Sequence, residues 1–329
     1  MDNNPFEKTK IMGQDLAIAS EILRDTELPL AKIVSLEKFS SIKIGGEALL
    51  VEASNLSELE GIIEAVKQAK AKFLIIGDGT NTLYPDSGLD VLALKLTGDF
   101  SAIDIISAKE GLIRAGAGAH LSHFLSIARQ NSLGEAEFLA GIPGTVGGAV
   151  MGNAGAAGES IGELLQSLRV YEPEKGLITI TSDDLKLGYR RLGSTKLSPG
   201  AVIVDADFKL TATDPGEISR RINQRLSHRA ENQPYEPSLG CVFLNPPDQS
   251  AGLIIDQCGL KDLVVGGAAV SRQHANFIVN RNRALSSDVF TLAKKVRDEV
   301  KRLRDLTLDL EIGILNSMGQ KIDLDGRLV

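Results

Sequence analysis

The chain has 329 residues, with 36 Lys and Arg against 43 Asp and Glu, giving a formal net charge of -7. That acidic balance excludes the basic stripe a nucleic-acid partner requires, and the length suits two domains at the usual ~100–200 residues each, with enough core to need no staples. No apolar run approaches the roughly 20 residues of a membrane span and MDNNPFEKTK has no apolar signal core, so the protein is expected in the cytoplasm, away from membranes.

In chain order, a weakly helical segment covers Leu16 to Leu23. Asn55 followed by Glu58 forms a capping-box-like start, and Leu56, Leu59, Ile63 and Val66 continue at helical spacing. The run Phe73 to Ile76 reads as a buried strand ending at Gly77, in KFLIIGDGTNTLYPDSG. The third glycine of a dinucleotide fingerprint is missing. Pro85 to Gly88 make a turn, and Val91 to Leu96 read as the next strand. What remains is a strand, a tight glycine loop bearing Thr80 and Asn81, and another strand, an arrangement suited to binding phosphate.

His120 and His123 flank the apolar face formed by Leu121, Phe124, Leu125 and Ala128, which is a helical pattern rather than a metal-ligand pattern. Farther on, GIPGTVGGAVMGNAGAAG carries glycine at 141, 144, 147, 148, 152, 155 and 158. A flexible linker would be polar, but this stretch contains Ile142, Val146, Val150 and Met151. Such glycine density is tolerated where backbone must take positive φ or lie close to a ligand.

Short β runs at 177–181 and 201–204 and the loose alternation of elements indicate α+β layers rather than a βαβ repeat. Composition changes at Thr211 to Pro215, where a domain boundary is placed. Asp214 and Pro215 open a helix with Ile218, Ile222 and Leu226 on one face. A second helix over 287–304 uses Val289, Leu292, Val296, Val300 and Leu303. It leads to an alternating strand with Leu306, Leu308, Leu310, Ile312 and Ile314 on one face and Glu311 on the other.

Cys241 and Cys258 show no metal-type spacing, in keeping with a reducing compartment. Cys258, after Leu253, Ile254 and Ile255 and before a helix-ending Gly259, reads as filler, whereas Cys241 sits between Gly240 and a strand-like Val242 and Phe243. Tyr189, Arg190 and Arg191 make a plausible carboxylate clamp. The residues alone indicate an α+β protein that binds something phosphorylated, with Arg190, Cys241 and Glu311 as site candidates and no metal ligands.

Taken together, GIPGTVGGAVMGNAGAAG, GDGTN, GYR, SLGCVFLNP, GLKDLVVGGAAVSRQHANFIVN and LDLEIG resemble the UDP-N-acetylenolpyruvoylglucosamine reductases over roughly residues 39–313. QPYEPSLGCVF is similar to the subgroup with a shortened substrate domain. The resemblance implies an FAD-binding fold of the vanillyl-alcohol-oxidase (PCMH) type, in which FAD lies between two α+β subdomains and a C-terminal α+β domain closes over substrate. The corresponding division is an N-terminal extension (1–35), an FAD-binding domain of two subdomains (36–210), a substrate-binding domain (211–315) and a tail (316–329).

The implied activity is that of an NADPH-dependent FAD oxidoreductase. It reduces the enolpyruvyl group of a UDP-linked amino sugar to UDP-N-acetylmuramate for peptidoglycan, and a monomer is expected. By resemblance, Gly77, Asp78, Gly79, Thr80, Asn81, Gly141, Pro143, Gly144, Gly147, Gly148, Asn153, Ala154 and Gly155 hold FAD. Tyr189, Gln233, Asn245, His274 and Asn276 hold substrate. Arg190 and Glu311 engage the substrate carboxylate and its enolate-like form, and Cys241 falls where most members have the proton-donating serine. A thiol, with an ordinary pKa of about 8.5, is a far better proton donor than an aliphatic alcohol.

The chain departs from the family at several positions. Asp78 stands where glycine is usual, and its carboxylate is expected to point to solvent or meet a cation. Leu244 replaces a lysine, Leu192 a serine for which Ser194 is the nearest substitute, Gly152 a methionine, and Ala157 an often aromatic residue. Two rival readings are another FAD-dependent oxidase or dehydrogenase of the same fold and a degenerate nucleotide-binding protein.

Overall fold

The computed structural model describes residues 14–194, 197–198 and 200–329. The expectation of no signal core in MDNNPFEKTK lies outside the described residues, as does the side chain of Ser194.

The first sheet has the order Lys32–Ser35, Glu47–Ala53, Leu92–Leu96, Phe73–Ile75. Its first pair is antiparallel and the other two are parallel. Alternation along Glu47–Ala53 divides its faces between two cores. Leu49, Val51 and Ala53 enter the largest apolar cluster, and Ala48 and Leu50 enter a small one with Tyr84, Val91 and Ala93. A sheet buried on both faces reads as a nearly continuous apolar run, which is the character of this strand.

The helix Leu56–Gln68 covers one face and begins as the sequence predicts. Asn55 accepts from the Glu58 amide at 3.0 Å. The Glu58 carboxylate reaches one residue farther back than a standard capping box, to the amide and hydroxyl of Ser54, both at 2.7 Å.

A five-stranded antiparallel sheet follows, ordered Gly176–Thr181, Leu165–Glu172, Val202–Lys209, Leu112–Gly116, Ile103–Ser107. Its apolar side shares the large cluster with the first sheet, through Ile113, Leu168, Val170 and Phe208. The two α+β halves of the N-terminal region are therefore fused by one core.

The helix Pro215–Asn232 opens on Asp214, whose carboxylate accepts from Glu217 N at 3.0 Å. Ile218 is fully buried and Ile222 packs on the large cluster, so this helix lies on the N-terminal core. A separate core starts at Leu239. It gathers the four-stranded sheet Ser238–Cys241, Phe277–Asn280, Ala268–Val270, Val264–Val265 under the helices Ala251–Gln257 and Ser286–Arg304. Ile42, Ile44 and Leu83 from the N-terminal region also enter this core.

Four expected elements differ in the structure. The Phe73 strand is an edge strand: Phe73 and Leu74 are half-buried and Ile75 is exposed, because no described strand pairs beyond it. The long strand expected through 306–314 is regular only at Gly313–Leu315. Before that, the chain is extended with one bridge, Phe243 to Leu310, while Leu308 and Ile312 still seat in the second core. Leu226 and Leu303 are exposed, so the apolar stripes of their helices are narrower than the spacing suggests. The tail is integrated with the fold: Lys321–Ile322 pairs with Gly313–Leu315, and Ile322 and Leu324 are buried.

Candidate functional site

The two glycine segments meet. Gly77 approaches Thr145 so closely that a Cβ there would lie 3.0 Å from its Oγ1, and a Cβ at Gly144 would lie 3.0 Å from Oγ1 of Thr80. Gly79 has φ +56, and a side chain there would come within 2.0 Å of the Phe39 carbonyl oxygen, so only glycine fits. Thr145 caps the short helix Val146–Met151 by accepting from Gly148 N. Among the described residues, the amides of Gly77, Asp78, Gly79, Thr80, Asn81, Gly144 and Thr145 donate to no protein group. Unclaimed amides on two adjoining loops form the kind of concave nest that holds a diphosphate, and the glycines leave room for it at the backbone. These residues therefore fit the phosphates of a dinucleotide cofactor.

Asp78 sits in this nest half-buried, with both carboxylate oxygens met by side chains. Its Oδ1 lies 3.3 Å from Lys95 Nζ and its Oδ2 lies 2.9 Å from His120 Nδ1. The buried Tyr84 phenol beside it is pushed up by desolvation first and by the Asp78 charge second.

A second cluster stands next to the first. Arg190 follows the strand Leu185–Gly188 in a hairpin turn and takes φ +55, an uncommon conformation for a non-glycine residue. The turn is tied down by Asn153, which donates to the Gly188 carbonyl at 2.9 Å and accepts from Gly162 N at 3.0 Å. Asn153 thus connects the glycine stretch to the arginine.

Arg190 Nε lies 2.8 Å from Glu311 Oε1. The approach is off-axis for a hydrogen bond, leaving that N–H with no aligned acceptor among the described residues. Glu311 is placed by its backbone. Its amide donates to Val242 O at 2.8 Å, and its carbonyl accepts from Asn81 Nδ2 at 3.2 Å. Burial raises the Glu311 pKa above the ordinary carboxylate value, with Arg190 opposing.

Cys241 ends its strand beside Gly240, which has φ +79 and open space where a Cβ would project. Burial is the main cause that pushes the thiol up to about 12. The Glu311 charge adds to it, while Arg190, Arg229 and the Asn276 amide act in the opposite sense. The expected acid strength is therefore corrected: the thiol is weaker than a free one and stays protonated throughout the neutral range.

Of the expected substrate residues, Tyr189 is 59% exposed with its ring 5.7 Å from the Arg190 guanidinium carbon. Gln233 accepts from Arg229 at 3.3 Å. Asn276 is buried and its amide is occupied by the backbone of Phe243, accepting from N at 2.9 Å and donating to O at 2.8 Å. Asn245 accepts from Ala251 N, and His274, whose pKa is lowered by burial, packs edge-on to Phe277. Among the described residues, no hydrogen bond or ion pair joins Asn245 or His274 to Arg190, Cys241 or Glu311.

Sequence reasoning missed Arg229. Its stem lies against Gly141, where a Cβ would fall 2.7 Å from Cδ, and its guanidinium is desolvated near Cys241 and Arg190. The available signal was its position four residues before Gln233 on the predicted helix.

A family model described as FAD binding domain matches residues 48–182, and one described as UDP-N-acetylenolpyruvoylglucosamine reductase, C-terminal domain, matches residues 232–315. The chain is 36% identical over 301 residues to the UDP-N-acetylenolpyruvoylglucosamine reductase of Geobacter metallireducens, spanning 91% of this chain and 95% of that one. The chain belongs to the UDP-N-acetylenolpyruvoylglucosamine reductase family. Its relative of the same name in Lachnoclostridium phytofermentans is 35% identical over 88% of this chain and 92% of its own length. The crystal structure of the reductase from Thermus caldophilus superposes with a TM-score of 0.76 at 32% identity, covering 87% of this chain and 99% of that chain. Both halves of the reductase fold, the FAD-binding half and the half carrying Cys241 and Glu311, are thus accounted for.

Proposed function

We propose that the protein is an FAD-dependent reductase that uses NADPH to convert the enolpyruvyl group of UDP-N-acetylglucosamine enolpyruvate to UDP-N-acetylmuramate, a peptidoglycan precursor. The observation that carries this reading is the meeting of Arg190, Glu311 and Cys241 beside the paired glycine loops. Bound FAD supplies the hydride chemistry, from NADPH to the enolpyruvyl double bond.

The chain's own residues bind, orient and protonate. The unclaimed amides of 77–81 and 144–145 hold the cofactor diphosphate. The Arg190 guanidinium, with an N–H to spare, faces the substrate carboxylate and the negative charge that grows on it. Glu311, whose charged form burial disfavours, stands beside that carboxylate with its charge offset by the Arg190 guanidinium 2.8 Å away. Cys241, still a thiol at neutral pH, gives its proton to the carbon next to the carboxylate on the open side marked by Gly240.

Asn276 holds the Cys241 strand in place, and Arg229 supplies positive charge for an anionic part of the substrate. We also propose that the enzyme works as a cytoplasmic monomer without a nucleic-acid partner. Its net charge of -7 supports the lack of a nucleic-acid partner, and no described helix is long and apolar enough to cross a membrane.

An anaerobic spectrum tests the reaction. NADPH should bleach the flavin, and UDP-N-acetylglucosamine enolpyruvate should restore its colour faster than oxygen does. A flavin that bleaches and does not recover with this substrate refutes the assignment, and light scattering after size exclusion checks the monomer.

A further inference from the structure

Asp78 places a carboxylate in a loop whose five free amides favour an anion, and charge alone would make it hostile to a diphosphate. Both its oxygens are occupied from within the protein, Oδ1 by Lys95 and Oδ2 by His120. Lys95 is four-fifths buried on the strand Leu92–Leu96. Its ammonium also donates to the Gly77 carbonyl at 3.4 Å and stands 5.9 Å over the Phe39 ring. His120 comes from another direction, at the head of the helix Leu121–Gln130. It forms a β-bridge with Thr145, the residue that caps the second glycine segment. Its Nδ1 can donate to Asp78 as imidazolium or as the neutral tautomer with hydrogen on Nδ1.

We propose that Lys95 is a built-in counter-charge for Asp78 and His120 its second hydrogen-bond donor, so that the three residues form a clasp joining the two glycine loops and setting FAD affinity. This inference rests on the reading that residues 77–81 hold the FAD diphosphate. Lys95 and His120 are positioning residues here: they turn the carboxylate out of the anion's path and hold the loops at one spacing. With Lys95 gone, Asp78 is left half-paired and repels the cofactor. With Asp78 also neutral, the repulsion is gone.

The experiment is a fluorescence-quenching titration of FAD into the flavin-free protein, with circular dichroism to confirm folding. Lys95→Met should raise the FAD Kd by about tenfold or more, and Lys95→Met with Asp78→Asn should return it to within about threefold of the parent. His120→Ala, at an exposed side chain that the fold tolerates, should weaken binding by about threefold and be rescued in the same way. A Lys95→Met protein that binds FAD like the parent, or a double variant as weak as Lys95→Met, overturns the counter-charge role. Thr80→Glu reports on the underlying reading, because a new carboxylate in a diphosphate loop should abolish binding. If Thr80→Glu loses FAD while Lys95→Met and His120→Ala keep it, the clasp alone is refuted. If Thr80→Glu keeps its FAD, the loop assignment and the clasp both fall.

Discussion

Asn81 and Glu311 are joined across 230 positions of sequence: the Asn81 side chain donates to the Glu311 carbonyl at 3.2 Å, and its own carbonyl accepts from Gly313 at 2.9 Å. A residue of the cofactor loop therefore fixes the backbone of a proposed catalytic carboxylate. Asn81→Ala should lower FAD affinity and also lower turnover at saturating FAD, each by about threefold to tenfold. Steady-state rates at two FAD concentrations check this, and a defect that saturating FAD removes completely would break the link.

Cys241→Ala should cut turnover by about a hundredfold or more while leaving the flavin spectrum unchanged, the loss expected for a missing proton donor. Cys241→Ser, which restores the hydroxyl usual in the family, should keep activity. Stopped-flow reoxidation of reduced flavin by substrate separates these variants, and full speed in the alanine variant would remove Cys241 from the reaction.

Glu311 gives a pH signature. Its folded-state pKa is raised, so the folded protein holds the proton more tightly, and the stability this provides is present below the ordinary value of 4.5 and lost as pH rises through the raised one. Glu311→Gln has no such loss. The Tm of Glu311→Gln minus that of the parent should become more positive between pH 4.5 and pH 8, at roughly 1–2 °C per kcal/mol for a chain of 329 residues. A difference that stays flat or falls contradicts the burial of this carboxyl.

Gly79 admits no side chain. Gly79→Ala combines φ +56 with a contact to the Phe39 carbonyl and should cost about 1–3 kcal/mol, together with the bound flavin. Thermal unfolding and the 450 nm flavin band, about where oxidised flavins absorb, report the two losses.

The central sheet carries an acid-sensitive pair. Asp207 accepts from Arg114 at 2.7 and 2.9 Å and from Ser167 at 3.0 Å, and the Arg114 bond is the main cause of its lowered pKa. Its contribution is present above 3.8 and lost as pH falls through the lowered value. Asp207→Asn should destabilise by about 1–2 kcal/mol at pH 7 and by less at pH 3, measured in urea.

Much of this arrangement was legible in the sequence because it depends on local chemistry. Asn55 and Asp214 cap the helices they were expected to cap, and the two glycine stretches proved to be backbone loops around one place. Glu311 faces away from the apolar side as its alternation required, but the sequence could not show that this other side is closed by Arg190, a residue from a distant hairpin. The same limit hid the partners of Asp78: neither Lys95 nor His120 is near it in sequence, and their pairing comes from the sheet and the bridge to Thr145. Composition changes at Thr211, whereas packing changes near Leu239, because the helix between them presents Ile218 and Ile222 to the N-terminal core despite its charged surface. Arg229 went unnoticed because an arginine on a charged helix resembles a solvated one until its neighbours are known.

The strand Gly313–Leu315 lies parallel to Thr82–Leu83, immediately after the cofactor loop. During synthesis, the ribosome releases Thr82 long before it has made Gly313, so the nascent loop spends most of translation without its neighbouring strand and without the Glu311 carbonyl that anchors Asn81. A product terminated before Glu311, even one containing every glycine of both loops, lacks both the carbonyl to which Asn81 donates and the strand beside Thr82–Leu83.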